Sequence, residues 1–588
     1  MSKKLINLPE NCVDEMLDGL VRAHPGLSLH ADNRVILTKQ CADSKNRVAL
    51  LSGGGSGHEP FAGGFVGAGM LSAAVAGSVF ASPPARNVLH AIQCIAQGNE
   101  AGTLVFIPNY TGDCLNFGLA VEWAKSEGLK VESIVLGEDC ALLRQDSSVG
   151  RRGMCGMVFI FKIAGAMAEE GKSLTDIVHT VRMVLEVLAT FGVSLSACSL
   201  PGCGPLFKIG SDEMEVGLGV HGEAGIKRVK MCTAAEAVKV ILEAIIGVLK
   251  LRPGDEVVVF INNLGGTSQL EQWVVTGEVH KQFVGLGIAV LRIYAACIMT
   301  SLEMAGIQVS ALNISGVHKA EWLNYLDAET KACAWPGSPM SIPPEKSLLN
   351  IPPPPPKNNP EKYELQGPVI SEGGCDILRR CLEAISVALI SNECKLNELD
   401  SVCGDGDTGT TLRRMAEGIL HQLISLPVSH PSTLLKQLSV IAETTMGGTS
   451  GALYSLMLTM AGKALETETE AVTAKTWAEA WLAGTHGTLN YSQANLGDRS
   501  MFDALLPACM TFESYKPITV KEVLIALEAA VMSAEEGCQK TRHMKARVGR
   551  ATYVDASYVT DVDAGAYGVT VWLKALSSEL KIVPNEIR

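Results

Sequence analysis

The segment IPPPPPKNNP, from Ile351 to Pro360, separates two parts of the 588-residue chain that differ in composition and in pattern. Five consecutive prolines favour the extended polyproline II conformation, and they cannot lie inside a helix or a central strand. We therefore expect a semi-rigid spacer over residues 346–366, between domains that cover residues 1–345 and 367–588. Binding to an SH3-type domain is the alternative role of such a proline run.

The part before the spacer has the pattern of an α/β domain. Short apolar, β-branched runs end in loops rich in glycine and asparagine, and helix-like stretches such as Leu174 to Thr190 lie between them. The clearest runs read RVALLSGGGSG, GTLVFIPNYTGD, KVESIVLGED and DEVVVFINNLGG. Strands that are buried on both faces have such sequences, and their carboxyl ends carry ligand-binding loops. The part is long enough for two α/β lobes, which we expect to divide near residues 192–204.

The part after the spacer has the spacing of helices. Apolar residues recur at the helical period between Cys375 and Ile390, and the stretches Leu434 to Ile441 and Val523 to Val531 have a similar pattern. Strand-like runs are nearly absent. This pattern predicts an all-helical bundle, with loops that carry glycine, aspartate and serine.

Composition and charge argue against several classes of protein. A net charge of −13 and the lack of a basic cluster speak against binding to duplex nucleic acid. The 17 cysteines form no CxxC pair, so we expect reduced thiols rather than a zinc ribbon or a thioredoxin-like site. The N-terminus lacks the apolar stretch of a signal peptide, and the longest apolar stretches carry charges such as Lys162 and Arg292. We therefore expect a cytoplasmic protein without a membrane span.

Two glycine-rich loops after strand-like runs carry candidate catalytic side chains. The segment SGGGSGHEP, from Ser52 to Pro60, places His58 at a strand end, and its glycines let backbone N–H groups approach a polar ligand. The segment NYTGD, from Asn109 to Asp113, ends in a carboxylate that could accept a proton or orient a histidine. A structural turn with an incidental side chain is the alternative for each segment.

A third glycine-rich segment, GLGVHGEAG from Gly217 to Gly225, frames His221. A neutral imidazole in an open loop is a nucleophile and could add to a carbonyl carbon, although a surface histidine is the alternative. The segment also matches GxGxxG. We reject a dinucleotide site because the preceding residues, SDEMEV, are too polar for a buried strand and a single match is weak.

Three aspartates lie close together in DSVCGDGDTGTT, which covers residues 400–411. Asp400, Asp405 and Asp407 would repel one another unless a cation neutralises them, and hard oxygen ligands suit Mg²⁺ bound together with nucleotide phosphates. A calcium-binding EF-hand fits poorly, because Thr411 stands where that loop needs a glutamate. A solvated acidic turn is the remaining alternative.

The chain contains no GxxxxGK[ST] motif, which argues against a P-loop. The helical part has further stops, which are polar, glycine-rich segments that interrupt the helical pattern. In MGGTSGA, Thr449 and Ser450 precede an apolar run, so a helix N-terminus could hold a phosphate there; a plain helix start is the alternative. The remaining stops are GDRSMFD (residues 497–503), Arg550 and DAG (residues 563–565).

Together these segments resemble the single-chain dihydroxyacetone kinases over nearly the whole chain, apart from the spacer. The motifs GGGSGHEP, NYTGD, GLGVHGEAG, GDGDTGTT, MGGTSGALY and GDRSM occur in the order of that family. The resemblance implies a K domain, an α/β fold that binds the substrate, and an L domain, a barrel of antiparallel helices that binds nucleotide with Mg²⁺. It also implies an ATP-dependent kinase for dihydroxyacetone and D-glyceraldehyde, which we expect to be a homodimer.

The resemblance implies a second activity as well, a lyase reaction that cyclises FAD and would use the helical domain alone, with Mg²⁺, Mn²⁺ or Co²⁺. A non-catalytic, carbonyl-sensing or protein-interaction role is the alternative. The three aspartates and His221 argue against it, because a pure binding protein needs no metal site.

Carried onto this chain, the resemblance gives each candidate residue a role. His221 would hold the substrate carbonyl as a covalent hemiaminal, while His58 and Asp113 would act on the hydroxyl that attacks the γ-phosphate. The substrate pocket would be lined by Gly55, Ser56, Gly57, His58 and Asp113. Mg²⁺ would be bound by Asp400, Asp405 and Asp407. The nucleotide would be surrounded by Thr408, Gly409, Thr410, Thr411, Thr449, Ser450, Ser492, Met501, Arg550, Asp563, Ala564 and Gly565.

Three positions depart from the family pattern. Pro108 stands where members commonly carry lysine before NYTGD, which removes a cationic contact with the substrate. Ala564 replaces the proline of a DPG motif, and Ser492 replaces a glycine near the nucleotide. Neither of these last two changes removes a charge or a metal ligand.

Overall fold

The computed structural model describes residues 3–39, 46–141, 150–223, 225–343, 365–402, 404–467, 471–492, 494–548 and 560–582. The chain divides into two compact units, Met1–Ile351 and Pro352–Arg588. The expected spacer lies outside the described residues except for Leu365 and Gln366, and Arg550 lies outside them too. Every cysteine in the described part of the chain is free.

The first sheet of the N-terminal unit has six strands in the order β1-β2-β4-β3-β5-β6. The strands are β1 (Leu27–His30), β2 (Val35–Thr38), β3 (Ala49–Ser56), β4 (Ala73–Val79), β5 (Thr103–Pro108) and β6 (Val131–Leu136). β4, β3, β5 and β6 run parallel, and β1 and β2 extend the sheet as antiparallel strands. The helices of this region are α1 (Cys12–Ala23), α2 (Ala85–Ala96) and α3 (Thr111–Ser126). All of β5 is buried, as expected for a strand covered on both faces.

The second sheet of the same unit has the order β11-β10-β12-β7-β8-β9. The strands are β7 (Leu188–Ser194), β8 (Glu213–Val216), β9 (Lys227–Lys230), β10 (Glu256–Asn263), β11 (Ala289–Ala296) and β12 (Gly306–Asn313). β10 pairs with β11 in parallel, and the other neighbours pair in antiparallel fashion. The helices are α4 (Met157–Glu169), α5 (Leu174–Glu186), α6 (Ala234–Leu249), α7 (Gln269–Gly285) and α8 (Lys319–Asp327).

The α/β fold is confirmed, but the chain passes from the first sheet to the second at an earlier residue than expected. Helix α5 ends at Glu186, and β7, buried throughout, already belongs to the second sheet. The boundary between the sheets therefore precedes Leu188 and does not fall in the 192–204 segment. Gly192 lies inside β7 and pairs with Gln308 on β12, and a Cβ there would lie 2.6 Å from Cγ of Gln308.

A strand also precedes GLGVHG, which corrects the expectation drawn from its polarity. Glu215 lies in β8 and is buried, because its carboxylate accepts hydrogen bonds from the Gly225 N–H and from the Arg228 guanidinium. The chain then enters a loop at Gly217 and continues into β9, so no helix begins at these glycines. A dinucleotide-binding motif needs a helix that begins at its glycines. The lack of that helix, and not the lack of a strand, therefore excludes a dinucleotide site here.

The described elements of the C-terminal unit are helices. They are α9 (Glu372–Ser391), α10 (Glu393–Ser401), α11 (Thr408–Gln422), α12 (Pro431–Met446), α13 (Gly448–Glu466), α14 (Ala474–Ser492), α15 (Phe502–Tyr515), α16 (Val520–Lys540) and α17 (Ala564–Ile582), with a short 3₁₀ turn after α16. Helices α11 to α17 pack each against the next, and α9 packs against both α11 and α17, which closes a ring. The predicted all-helical fold is confirmed.

The ring of helices encloses an apolar cavity of about 730 Å³. Its lining includes Leu382, Tyr454, Trp481, Phe512 and Trp572. Among the residues that the structure describes, none of the helices combines the length and the hydropathy of a membrane-spanning segment.

Candidate active site

The glycine run before His58 is part of strand β3 rather than a loop after it. A Cβ at Gly53 would lie 2.2 Å from the Val75 carbonyl oxygen of β4, so only glycine lets the two strands approach this closely. Gly57 then has a φ of +95°, and its added Cβ would meet the Phe80 ring at 2.8 Å. These two glycines bring the backbone around a crowded corner and place His58 against Phe80.

His58 is buried, and its two ring nitrogens have different surroundings. Nδ1 lies 2.8 Å from the Thr300 carbonyl oxygen, which can only accept, so Nδ1 carries the proton. Nε2 has no hydrogen-bond partner among the described residues. Burial and the neighbouring His221 lower the pKa of His58 to about 3, so the ring is neutral at physiological pH. His58 therefore offers a free lone pair on Nε2, which can accept a hydrogen bond from a substrate hydroxyl.

Asp113 lies in the first turn of helix α3, where a loop had been expected. Its Oδ1 is buried without a hydrogen-bond partner among the described residues. Burial raises the pKa of this carboxyl to about 6. A Cβ added to Gly54 would lie 3.8 Å from Asp113 Oδ2, so the helix start faces the glycine run of β3.

His221 lies in the loop between β8 and β9, and its ring contacts residues of the first sheet region. It stands edge-on to His58 at 4.8 Å, to Tyr110 at 4.5 Å and to Phe80 at 5.6 Å between ring centroids. Burial lowers the pKa of His221, so this imidazole is also neutral. The structure thus brings His221 and His58, which come from distant motifs, to one aromatic pocket, which is bounded by Phe80 and Tyr110.

Arg152, which the sequence analysis did not select, holds the His221 loop at both of its ends. Its Nη2 donates to the Gly217 carbonyl at 2.9 Å, and its Nη1 donates to Glu223 Oε1 at 3.0 Å. Its Nε donates to Asp139 Oδ2 at 2.7 Å, just beyond β6. The Glu223 carboxylate in turn accepts the His221 backbone N–H at 2.9 Å. Arg152 therefore fixes the position of the loop that presents His221.

A second cluster of polar residues lies in the helical unit. Asp400 is in the last turn of α10, and Asp405 and Asp407 lie between α10 and α11; carboxylate oxygens of the three lie within 4.8 Å of one another. Asp400 Oδ2 accepts the backbone N–H groups of Asp407 at 3.0 Å and Thr408 at 3.3 Å, which folds the segment around this carboxylate. Oxygen donors at this spacing fit a hard divalent cation such as Mg²⁺.

The residues predicted to surround the nucleotide lie at helix ends. Thr408, Gly409, Thr410 and Thr411 form the first turn of α11, Thr449 and Ser450 the first turn of α13, and Ala564 and Gly565 the start of α17, while Ser492 ends α14 and Met501 precedes α15. A Cβ added to Gly565 would lie 3.2 Å from Met501 Cβ, so these two segments touch. For all of these residues an approach to the nucleotide stays a prediction.

Asp563 connects the acidic cluster with Arg499, another residue that the sequence analysis did not select. Burial raises the pKa of Asp563 to about 6, the Arg499 charge offsets part of this rise, and Asp503 and Asp400 add to it. The Arg499 guanidinium is buried, lies 3.7 Å from Asp563 Oδ2 and donates to the Asp561 carbonyl at 2.9 Å. The one signal for Arg499 in the sequence is its place in the motif GDRSM, where it is the cationic residue.

Comparison with known proteins places both units in characterised families. The Dak1 domain model matches residues 18–334 and the DAK2 domain model matches residues 402–578. The chain is 40% identical to the triokinase/FMN cyclase of Homo sapiens, over 99% of this chain and 100% of that one. It is 34% identical to the dihydroxyacetone kinase of Pichia angusta, over 94% and 93% of the two chains.

Solved structures give the same result. The dihydroxyacetone kinase of C. freundii in complex with AMP-PNP and Mg²⁺ matches with a TM-score of 0.68 and 30% identity, over 98% of this chain and 100% of that one. A dihydroxyacetone kinase operon co-activator matches with a TM-score of 0.52 and 29% identity, over 55% of this chain and 98% of that one.

Proposed function

Because the chain belongs to the dihydroxyacetone kinase family, with a Dak1 domain followed by a DAK2 domain, we propose that it transfers the γ-phosphoryl group of ATP to dihydroxyacetone and D-glyceraldehyde. The observation that carries this proposal is the edge-on contact of two neutral imidazoles, His221 and His58, in one buried pocket. The pocket would bind a substrate that has a carbonyl group, and the acidic cluster of the helical unit would bind a nucleotide together with a metal ion.

His221 is the proposed nucleophile toward the substrate carbonyl. The lone pair of a ring nitrogen forms a bond to the carbonyl carbon, and the ring gives up its proton while the carbonyl oxygen takes one up, which yields a neutral hemiaminal. This covalent step selects molecules with a reactive carbonyl and rejects simple polyols such as glycerol. It also fixes the reacting hydroxyl, which is where proximity contributes most to the rate.

His58 and Asp113 are the proposed acid–base groups for that hydroxyl. Nε2 of His58 is an unprotonated acceptor without another partner in the described part of the chain, so it can take the hydroxyl proton during attack on the γ-phosphorus. Asp113, with its pKa raised to about 6, is mostly ionised at neutral pH and can stabilise the positive charge that develops on the imidazole.

Asp400, Asp405 and Asp407 would hold Mg²⁺, which offsets charge on the phosphates of ATP when it is bound. Phosphoryl transfer depends on such neutralisation and on positioning more than on covalent chemistry at phosphorus. The N–H groups at the start of α13, around Thr449, would bind phosphate oxygens, and the side chain of Thr408 at the start of α11 would lie near the nucleotide.

A second activity, cyclisation of FAD to riboflavin cyclic 4′,5′-phosphate with release of AMP, is favoured by the full-length likeness to triokinase/FMN cyclase of Homo sapiens. It would use the helical unit alone, with Mg²⁺, Mn²⁺ or Co²⁺ at the three aspartates. We further propose a cytoplasmic homodimer. A non-catalytic role like that of the operon co-activator would account for the N-terminal unit only, since that likeness covers 55% of this chain and leaves the aspartates without a role.

The test is ADP release from ATP and Mg²⁺ with dihydroxyacetone, D-glyceraldehyde or glycerol as acceptor, for the wild type and for His221→Ala. We expect activity with the two trioses and none with glycerol, and we expect His221→Ala to lose triose phosphorylation while it still binds ATP. His280→Ala, at an exposed histidine of α7, is the matched control. Near wild-type kinase activity in His221→Ala would refute the hemiaminal.

A further inference from the structure

Three side chains outside the pocket and outside the acidic cluster converge at the edge of the first sheet. His30 is the last residue of β1, and His90 and Cys94 lie one turn apart on α2. His30 Nδ1 is 2.9 Å from His90 Nε2, and Cys94 Sγ is 3.7 Å from His30 Nδ1 and 3.6 Å from His90 Nε2. His30 is exposed and the other two are half-buried, so solvent reaches the cluster.

These three distances describe a triangle of possible ligand atoms. A tetrahedral zinc ion has Zn–N bonds of about 2.0–2.1 Å and Zn–S bonds of about 2.3 Å, so its ligand atoms lie about 3.3 Å apart for N and N and about 3.5 Å apart for N and S. The observed triangle differs from these edges by a few tenths of an ångström. We propose that His30, His90 and Cys94 bind one divalent transition-metal ion of the zinc class, with water in the fourth position.

The chemistry of the donors distinguishes this site from the aspartate cluster. Two imidazoles and a thiolate are borderline-to-soft ligands that select zinc, cobalt or copper over magnesium, whereas three carboxylates favour magnesium. Binding replaces the thiol proton of Cys94 by the metal ion and releases that proton to solvent. The site needs no fourth protein ligand, because a three-ligand zinc site with bound water is an established arrangement.

A metal ion here would join two parts of the fold that otherwise meet by side-chain contact alone. β1 is the outermost strand of its sheet, and α2 begins at Ala85, shortly after Phe80, which stacks on His58. The ion would tie the end of β1 to the helix that follows the pocket wall. Its expected effect is therefore on the thermal stability of the N-terminal unit, with no direct part in phosphoryl transfer.

The experiment is a Co²⁺ titration of the full-length, chelator-treated protein under reducing conditions and in excess Mg²⁺. We expect one equivalent of Co²⁺ to give tetrahedral d–d bands and a thiolate-to-cobalt charge-transfer band, and Zn²⁺ to displace it. Cys94→Ser should remove the charge-transfer band, and His90→Gln should weaken binding at least about tenfold. Cys203→Ser, at an exposed cysteine elsewhere, is the matched control and should keep the spectrum.

The possible outcomes separate this site from the alternatives. Co²⁺ held only by the three aspartates would give an octahedral spectrum without a thiolate band, and that result would overturn the proposal. A thiolate band that persists in Cys94→Ser would overturn it as well, as would a protein that binds no Co²⁺, in which case His30 and His90 share only a hydrogen bond. A rise in the melting temperature on addition of Zn²⁺, lost in Cys94→Ser but kept in Cys203→Ser, gives a second readout that does not depend on kinase activity.

Discussion

The imidazole of His221 stands edge-on to that of His58, with ring centroids 4.8 Å apart and an interplanar angle of 89°. Burial lowers the pKa of both rings, so two neutral imidazoles face one pocket. Neutrality suits both proposed roles, because His221 must give a lone pair to a carbonyl carbon and His58 must accept a hydroxyl proton. The same desolvation destabilises a charged side chain, and it destabilises the ionised carboxylate of Asp113.

We predict that Asp113→Asn stabilises the N-terminal unit at alkaline pH. The pKa of Asp113 is raised from 3.8 to about 6 by burial, so the folded protein binds this proton more tightly than the unfolded chain. The stabilising contribution of the protonated carboxyl is complete below pH 3.8 and is lost as the pH rises through about 6. The loss amounts to roughly 2–3 kcal/mol, and thermal unfolding measured between pH 4 and pH 8 should reveal it.

The neutral amide of Asp113→Asn does not ionise, so the variant should melt at a higher temperature than the wild type at pH 8 and at nearly the same temperature at pH 4. Asp212→Asn, which removes an exposed carboxylate, is the control and should melt at the same temperature as the wild type at both pH values. An Asp113→Asn protein that is destabilised equally at both pH values would contradict the prediction, because it would show that hydrogen bonds to the Asp113 carboxyl, such as that of Ser82, outweigh its desolvation. Because Asp113 also belongs to the proposed acid–base pair, kinase activity should fall in the same variant.

The sequence predicts the parts of this site that lie inside single motifs. His58, Asp113 and His221 stand in glycine-rich segments next to strand-like runs, and glycine at such positions indicates close backbone approach. Arg152 could not be found in this way. Its importance comes from three acceptors on two separate segments, the His221 loop and the segment after β6, and the sequence carries no sign of that geometry. Arg499 could not be selected from the sequence for a similar reason, since its partner Asp563 lies far along the chain.

The strand assignments failed where tertiary contacts overrule local polarity. Glu215 makes its segment look too polar for a buried strand, but the Arg228 guanidinium and the Gly225 N–H satisfy its carboxylate. The two lobes were expected to divide near residues 192–204, yet Gly192 lies inside β7 and pairs with Gln308 on β12. In both cases a neighbouring strand sets the environment of the residue, β9 for Glu215 and β12 for Gly192.

Arg152→Lys should lower kcat/KM for dihydroxyacetone by about 10- to 100-fold, because the His221 loop loses its common anchor and small misplacements of a reacting group carry penalties of this size. A lysine can reach one of the three acceptors, whereas the guanidinium serves Gly217, Glu223 and Asp139 together. Steady-state kinetics with separate titration of triose and ATP should place the change in the triose parameters, with KM for ATP unaltered.

Two controls distinguish a positioning role from general damage to the fold. Arg182→Lys changes an exposed arginine of α5 and should leave the kinetics as in the wild type. FAD cyclisation would use the helical unit alone and should be unaffected by Arg152→Lys. If the cyclase activity falls together with the kinase activity, Arg152 acts on folding and not on the loop.

Asp407→Asn should reduce the kinase and the cyclase reactions together, by at least about 100-fold, because both would use the cation at Asp400, Asp405 and Asp407. Asp376→Asn, at an exposed carboxylate of α9, keeps the net charge equal to that of the variant and should retain both activities. The measurement is ADP release and riboflavin cyclic phosphate formation on the same preparations over a range of Mg²⁺ and Mn²⁺ concentrations. Cyclase activity that survives Asp407→Asn would refute a shared metal site.

The two compact units should also separate as functional pieces. Each has its own hydrophobic core, with Phe159 and Phe260 stacked in one and helix residues such as Phe502 in the other. We therefore expect residues 1–351 and 352–588 to fold when expressed apart. The helical piece alone should cyclise FAD, because that substrate needs no triose pocket, and neither piece alone should phosphorylate dihydroxyacetone.

Kinase activity should return when the two pieces are mixed, and it should rise with protein concentration. In the intact chain the proline-rich segment would keep the triose and the nucleotide at a high effective concentration, and severing it would make their encounter bimolecular. Transfer still requires the hydroxyl oxygen and the γ-phosphorus to come within about 3–3.5 Å, so activity at low concentration should be a small fraction of that of the intact chain. A mixing series at fixed ATP and dihydroxyacetone measures this directly. Kinase activity in the helical piece alone would refute the assignment of triose binding to the N-terminal unit. Cyclase activity confined to the α/β piece would refute the nucleotide site at Asp400, because the proposal places no nucleotide in the N-terminal unit.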